Sequence, residues 1–240
     1  MDLFAREARS EWTFAWLRGT DPLDDSLAIE VPSDSEPDLD SFAFNRFAIA
    51  GETTRLALLP RQPDRAFVVR PELPLSLPSG DFVRLFVSTP VWVSISLVEL
   101  GRDDLFETPS FRPSDTWFGR DTLEGELCYA SKTFARTDLS AMGARPHRAV
   151  TPVEIRNEGA DTLSIEQLRV PVPALSLYQG EDNRLWTDTV SLVREEDETS
   201  AAMTVSAGGH EPLSGQKLIR EPRKPIEPGT IITAFSQLLA

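Results

Sequence analysis

Apolar residues along this chain fall mostly in short runs that alternate with polar ones, the period of a β-strand. The clearest run is Phe82-Val83-Arg84-Leu85-Phe86-Val87. After Thr89-Pro90 comes a second, in which Val91, Val93, Ile95 and Leu97 share one face and Trp92, Ser94 and Ser96 share the other. Leu56-Ala57-Leu58-Leu59 and Phe67-Val68-Val69 predict two shorter strands, and Phe42, Phe44 and Ala48 fit a further one imperfectly. Near the start, Leu3-Phe4 and Trp12 to Leu17 predict a hairpin with Arg9-Ser10-Glu11 as its turn. The chain begins so close to this hairpin that a further strand is expected upstream. Val150 to Arg156 and Thr162 to Leu168 alternate again around Asn157-Glu158-Gly159-Ala160-Asp161. Asn and Gly tolerate positive φ, so these two segments predict a second hairpin. At the far end, Pro222, Pro225 and Pro228 exclude helix and central strand. Ile231 to Leu239 fits a final strand, by its adjacent isoleucines and threonine, better than a short helix with Ile232, Phe235 and Leu239 on one face.

The chain holds 19 prolines, which leave few windows of helical length. The pattern therefore predicts an all-β protein, an antiparallel β-sandwich with little helix. A loop from Arg136 to Pro146 divides it into an N-terminal β unit at 1–140 and an immunoglobulin-like β unit at 146–240. Two packed sandwiches and the two sheets of one single domain both fit this division.

Composition narrows the function classes. The net charge is −14 over 240 residues, and the sequence pI near 4.6 argues against a nucleic-acid partner, which selects a basic face. One cysteine excludes a disulfide framework and a multi-cysteine zinc site. The two histidines show no HxH, HxxxH or HExxH spacing, so no metal is expected, and His210 is assigned nothing. No apolar run approaches the roughly 18 residues of a membrane span. The first twelve residues carry charges by position 7 and no apolar stretch, unlike a secretory signal, so the expected location is the cytoplasm. No GxGxxG, GxxxxGK[ST] or GxSxG motif is present, which argues against nucleotide enzymes and α/β-hydrolases and leaves no cofactor to expect.

The negative charge is clustered. Residues 21–40 hold eight acidic residues and no basic one; residues 181–211 hold eight acidic residues and two arginines. Solvated loops are the plainer explanation. The alternatives are a docking surface for a basic partner or a weak calcium site, although Glu195-Glu196-Asp197-Glu198 lacks the glycine of a calcium loop.

The densest polar and aromatic cluster is Ser114-Asp115-Thr116-Trp117-Phe118-Gly119, flanked by Arg112 and Arg120. Read plainly, it is a strand end whose Trp117 and Phe118 pack in the core. Read as a site, it is an aromatic platform with an arginine clamp for a sugar or an anion. Exposure of Trp117 separates the two. Cys128, in Glu126-Leu127-Cys128-Tyr129-Ala130, reads as a small buried hydrophobe. A nucleophile there would need His147 as base and Asp115 as orienter, and no spacing supports that triad. Arginine outnumbers lysine 21 to 3, so Arg70, Arg84, Arg145 and Arg148 are candidates for a shared cleft. The candidate ligand-binding residues are Arg112, Asp115, Trp117, His147 and Arg148; no residue is assigned to catalysis.

Several segments resemble domain-of-unknown-function family 432. They are Glu11-Trp12 through Trp16, Arg70 to Leu75, Val87 to Val93, Ser114 to Gly119 with Gly125 to Ala130, Arg145 to Val153, and Leu175 to Tyr178 with Leu185 to Thr187. The resemblance names relatives without naming chemistry. It implies a protein partner, a mechanosensitive membrane channel. The expectation is thus a non-enzymatic cytoplasmic binding or accessory module with no membrane insertion and no nucleic-acid partner. The alternative is a ligand- or carbohydrate-binding module, or a hydrolase, using the Trp117 cluster.

Overall fold

A computed structural model describes residues 1–8, 11–21, 42–49, 55–100, 102–119, 125–181, 183–194, 200–206, 215–227 and 230–236, with residues 23, 40 and 123. Most of the two acidic clusters, with Glu195 to Glu198, Arg120 and His210, lies outside them. The strands run β1 (Asp2–Ala8), β2 (Glu11–Leu17), β3 (Ala43–Ala48), β4 (Leu56–Arg61), β5 (Phe67–Val69), β6 (Leu75–Leu77) and β7 (Phe82–Pro90). They continue with β8 (Trp92–Leu97), β9 (Arg102–Pro109), β10 (Asp115–Gly119), β11 (Gly125–Ala130), β12 (Arg148–Asn157), β13 (Leu163–Ile165) and β14 (Gln167–Val170). The last are β15 (Leu177–Gln179), β16 (Leu185–Thr187), β17 (Thr189–Arg194), β18 (Ser200–Ser206), β19 (Lys217–Arg220), β20 (Thr230–Thr233) and β21 (Phe235–Ser236). Single 3-10 turns at Val98–Leu100, Leu139–Ala141 and Val172–Ala174 are the helical content of the described residues. The protein is all-β with mostly antiparallel sheets. No helix among the described residues is long and apolar enough to cross a membrane.

The chain forms two compact units, one of residues 1–60 and 92–112, the other of residues 61–91 and 113–240. These bounds fall elsewhere than the loop at 136–146. The reason is pairing: β7 and β12, on either side of that loop, are antiparallel neighbours from Phe82↔Arg156 to Pro90↔Arg148.

In the first unit, β1-β2-β3 and β4-β8-β9 form two sheets. The predicted N-terminal hairpin is present as β1 and β2. Their apolar faces share one core, in which Trp12, Phe14, Ile49, Ile95 and Leu97 are buried and Phe47 and Phe106 pack against them. Aromatic rings carry much of it: Trp12 and Phe14 stack at 5.8 Å, and Trp16 meets Phe106 at 4.6 Å. Strand β8 departs from the one-sided pattern. Trp92, Ser94 and Ser96 are buried as well as Ile95 and Leu97. The two hydroxyls are satisfied by Asp104: Ser94 Oγ donates to its carboxylate, and Ser96 Oγ accepts from its N–H at 3.2 Å.

In the second unit β12 is the hub. It pairs with β7 along one edge and, in parallel, with β16 and then β17 along the other. A proline in a central strand removes a ladder donor. Pro152 falls between the β16 pairing at Ala149–Val150 and the β17 pairing from Val153 onward, where the partner strand changes. Thr187 Oγ1 donates to Thr151 Oγ1 at 2.9 Å beside that break.

The predicted hairpin around Asn157-x-Gly159 does not form. Its two arms are strands, but β13 pairs with β6, Leu163 opposite Leu77. Gly159 has no positive φ. Asn157 is fully buried and works as a cross-link: its Nδ2 donates to Leu77 O at 2.9 Å and Asp161 O at 2.8 Å, and its Oδ1 accepts from Gly159 N and Arg194 Nη1, each at 3.2 Å. The C-terminal segment is extended, as β20 and β21.

Candidate functional site

Strands β10 and β11 lie at one end of the sheet ordered β10-β11-β5-β14-β21. Their register sets Trp117 opposite Leu127 and Phe118 opposite Glu126. Alternation then sends neighbouring side chains to opposite faces. Phe118 and Cys128 point inward and pack with Ala66 and Val68. Trp117 and Leu127 point outward, 48% and 46% exposed. Exposure of Trp117 is the outcome that separates a platform from a core residue.

Gly125 makes the indole's position possible. A Cβ there would lie 2.6 Å from Trp117 Nε1 and 2.7 Å from Phe118 O. With no side chain at 125, the indole reaches diagonally across the ladder and rests on the glycine backbone, a contact that covers a bare strand position.

Beyond the indole the same face turns polar. Asp115, two residues before Trp117, accepts from Arg65 Nη1 at 3.1 Å. The Arg65 guanidinium also sits 5.3 Å from the centre of the Tyr129 ring, and Tyr129 Oη donates to Asp64 at 2.9 Å. Arg65 is thus an arginine at Asp115. A sequence reading misses it because the contact spans fifty residues of chain.

Cys128 is a buried hydrophobe. Its thiol donates to Glu126 Oε1 at 3.4 Å. Burial, with the Glu126 charge second, pushes the thiol up to about 12. It stays protonated at neutral pH, the opposite of an activated nucleophile. Burial would raise Glu126, but the hydrogen bond and charge of Arg169 outweigh it and hold the carboxyl below its usual range.

The remaining candidates lie elsewhere. Arg148 opens β12 and is 3% exposed. Its Nε donates to Ser88 Oγ at 2.8 Å, and its Nη2 donates to Ser88 O at 2.6 Å and Thr133 Oγ1 at 3.0 Å. Burial, then the nearby Arg145 charge, lowers it to about 10, so it remains a cation at neutral pH. A guanidinium committed to a strand backbone and two hydroxyls is a structural tie between β7, β12 and the Ser131–Thr133 loop. His147 is half-buried, and its carbonyl accepts from Val91 N at 3.0 Å. Arg112 is exposed and belongs to the first unit, whereas Asp115, Trp117, His147 and Arg148 belong to the second. The structure thus joins Asp115 and Trp117 on one face and sets Arg148 in a different sheet. Of the four arginines considered for a shared cleft, Arg84 pairs with Glu154 at 2.6 Å across β7 and β12. Among the described residues no three His, Cys, Asp or Glu side chains gather to hold a metal ion.

Fold and surface together define an all-β protein with a half-exposed aromatic face at the end of one sheet. The chain belongs to the family described as "Protein of unknown function (DUF432)", whose model matches residues 8–239. No curated protein and no solved structure matches it.

Proposed function

We propose that the protein is a non-enzymatic cytoplasmic binding module that recognises a protein partner through the outer face of β10 and β11. The observation that carries this reading is Trp117, an indole seated on Gly125, half-exposed and paired across the ladder with half-exposed Leu127. Leu123, 92% exposed, adds a third large apolar side chain near the same hairpin. Grouped apolar side chains at a surface mark contact sites, and tryptophan is enriched among the anchors of interfaces. The resemblance noted in the sequence suggests a membrane channel as the partner. The Trp117 face also supports a second reading, a sugar ring stacked on the indole with Arg65 and Asp115 at its edge. Cys128 lends nothing to a hydrolytic version of that reading, because its thiol stays protonated.

Affinity purification of the wild-type protein, Trp117→Ala and Leu127→Ser from native cells, with mass spectrometry of what co-purifies, tests the proposal. A channel or other protein recovered with wild type and lost with both variants is the expected result. Identical recovery with all three proteins would overturn it. Glycan binding that is lost in Trp117→Ala would transfer the surface to the sugar reading.

A further inference from the structure

A separate cleft of about 250 Å³ lies in the second unit, between Pro71–Leu75 and Ala135–Ala141. Its floor is apolar and fixed. Leu85 and Ala135, which line it, are 1% and 2% exposed. Ala135 N donates to Arg70 O at 2.8 Å, and Arg136 exchanges two backbone hydrogen bonds with Phe86, at 2.7 and 3.0 Å. Leu73 and Leu75 supply a wall, and Leu73 is 77% exposed, an apolar side chain that gains from being covered.

The charged groups of the cleft are Glu72, Arg136 and Asp138. Asp138 is already committed: its carboxylate accepts from Ser140 N and Ser140 Oγ, each at 2.8 Å, and caps the 3-10 turn. Glu72 is held loosely. It lies 3.5 Å from Arg136 Nη1, against about 2.7–2.9 Å for a charge-assisted hydrogen bond. The Glu72 side chain is 60% exposed and that of Arg136 only 36%. Arg136 is anchored through its backbone, while Glu72 sits on an exposed bend. An incoming group displaces the carboxylate more readily than it moves the guanidinium. Asp138 is held by Ser140, so with Glu72 displaced Arg136 is the cation of the cleft left to meet an incoming anion, and the surface beside it is apolar.

We propose that this cleft binds a small amphipathic carboxylate, its head on Arg136 in place of Glu72 and its hydrocarbon against Leu73, Leu75 and Leu85. The volume is below the roughly 300–1,000 Å³ of drug-sized sites, which points to a medium chain such as an eight-carbon acid. This site is independent of the Trp117 face.

Calorimetric titration of the full chain with octanoate, octylamine and octanol tests it, on the wild type and on Arg136→Gln, Glu72→Gln and Leu73→Ser. Octanoate is expected to bind saturably with Kd below about 1 mM. Arg136→Gln weakens it by about tenfold or more, Glu72→Gln tightens it, and octylamine and octanol bind far more weakly. Lack of saturation by octanoate, or octylamine binding as well as octanoate, overturns the proposal. So does an Arg136→Gln protein that folds and binds as wild type does. If Arg136→Gln fails to fold, exposed Leu73→Ser decides: weakened octanoate binding supports the site, and unchanged binding overturns it.

Discussion

Strand β12 and the β10–β11 hairpin each carry a side chain of the wrong polarity for its place, and they treat it in opposite ways. In β12, Arg148 and Asn157 are polar and buried, and hydrogen bonds to Ser88, Thr133, Leu77 and Asp161 tie them down. On the hairpin, Trp117 and Leu127 are apolar and half-exposed to solvent. A buried polar group is tolerated when it is fully bonded, and then it fixes one arrangement of the strands. An exposed apolar pair adds less to folding than a buried one would, and its surface stays open to a partner. The contrast separates buried polar residues that hold the strands together from half-exposed apolar residues at the end of a sheet.

The largest expected effect is on the buried side. Arg148→Ala removes three hydrogen bonds, takes from buried Ser88 Oγ its guanidinium donor and opens a cavity, and it should cost about 3 kcal/mol or more in urea denaturation. A loss below about 1 kcal/mol would mean that the guanidinium ties nothing together.

Cys128 gives a smaller effect that depends on pH. The thiol titrates near 12 in the fold, against an ordinary value of 9.0. Above the ordinary value the unfolded chain loses a proton that the folded chain keeps, so stability falls as pH rises from about 9 towards 12. At pH 10 the wild type should have lost about 1 kcal/mol relative to Cys128→Ala, each referred to pH 7. Parallel pH curves for the two proteins would show that the thiol is not shielded.

The strands themselves were legible in the chain, but their partners were not. Period-two alternation located β7, β8 and β12 because each carries apolar side chains at every second position. The hairpin reading at Asn157-x-Gly159 failed because β12 is paired with β7 on one edge and with β16 and β17 on the other, and Asn157 spends its amide on distant backbone. Trp117 and Phe118 are adjacent and both aromatic, so alternation alone does not say which one faces inward. The register with β11 and the bare position at Gly125 decide it. Arg148 looked like a ligand-binding arginine because nothing local marks its partners, which come from β7 and the Ser131–Thr133 loop.

The smallest expected effect is the most direct test. Urea denaturation of Trp117→Ala beside wild type asks whether the indole belongs to the fold or to its surface. The account predicts a change of under about 1 kcal/mol. A loss of about 3 kcal/mol or more, as for a core tryptophan, would contradict it.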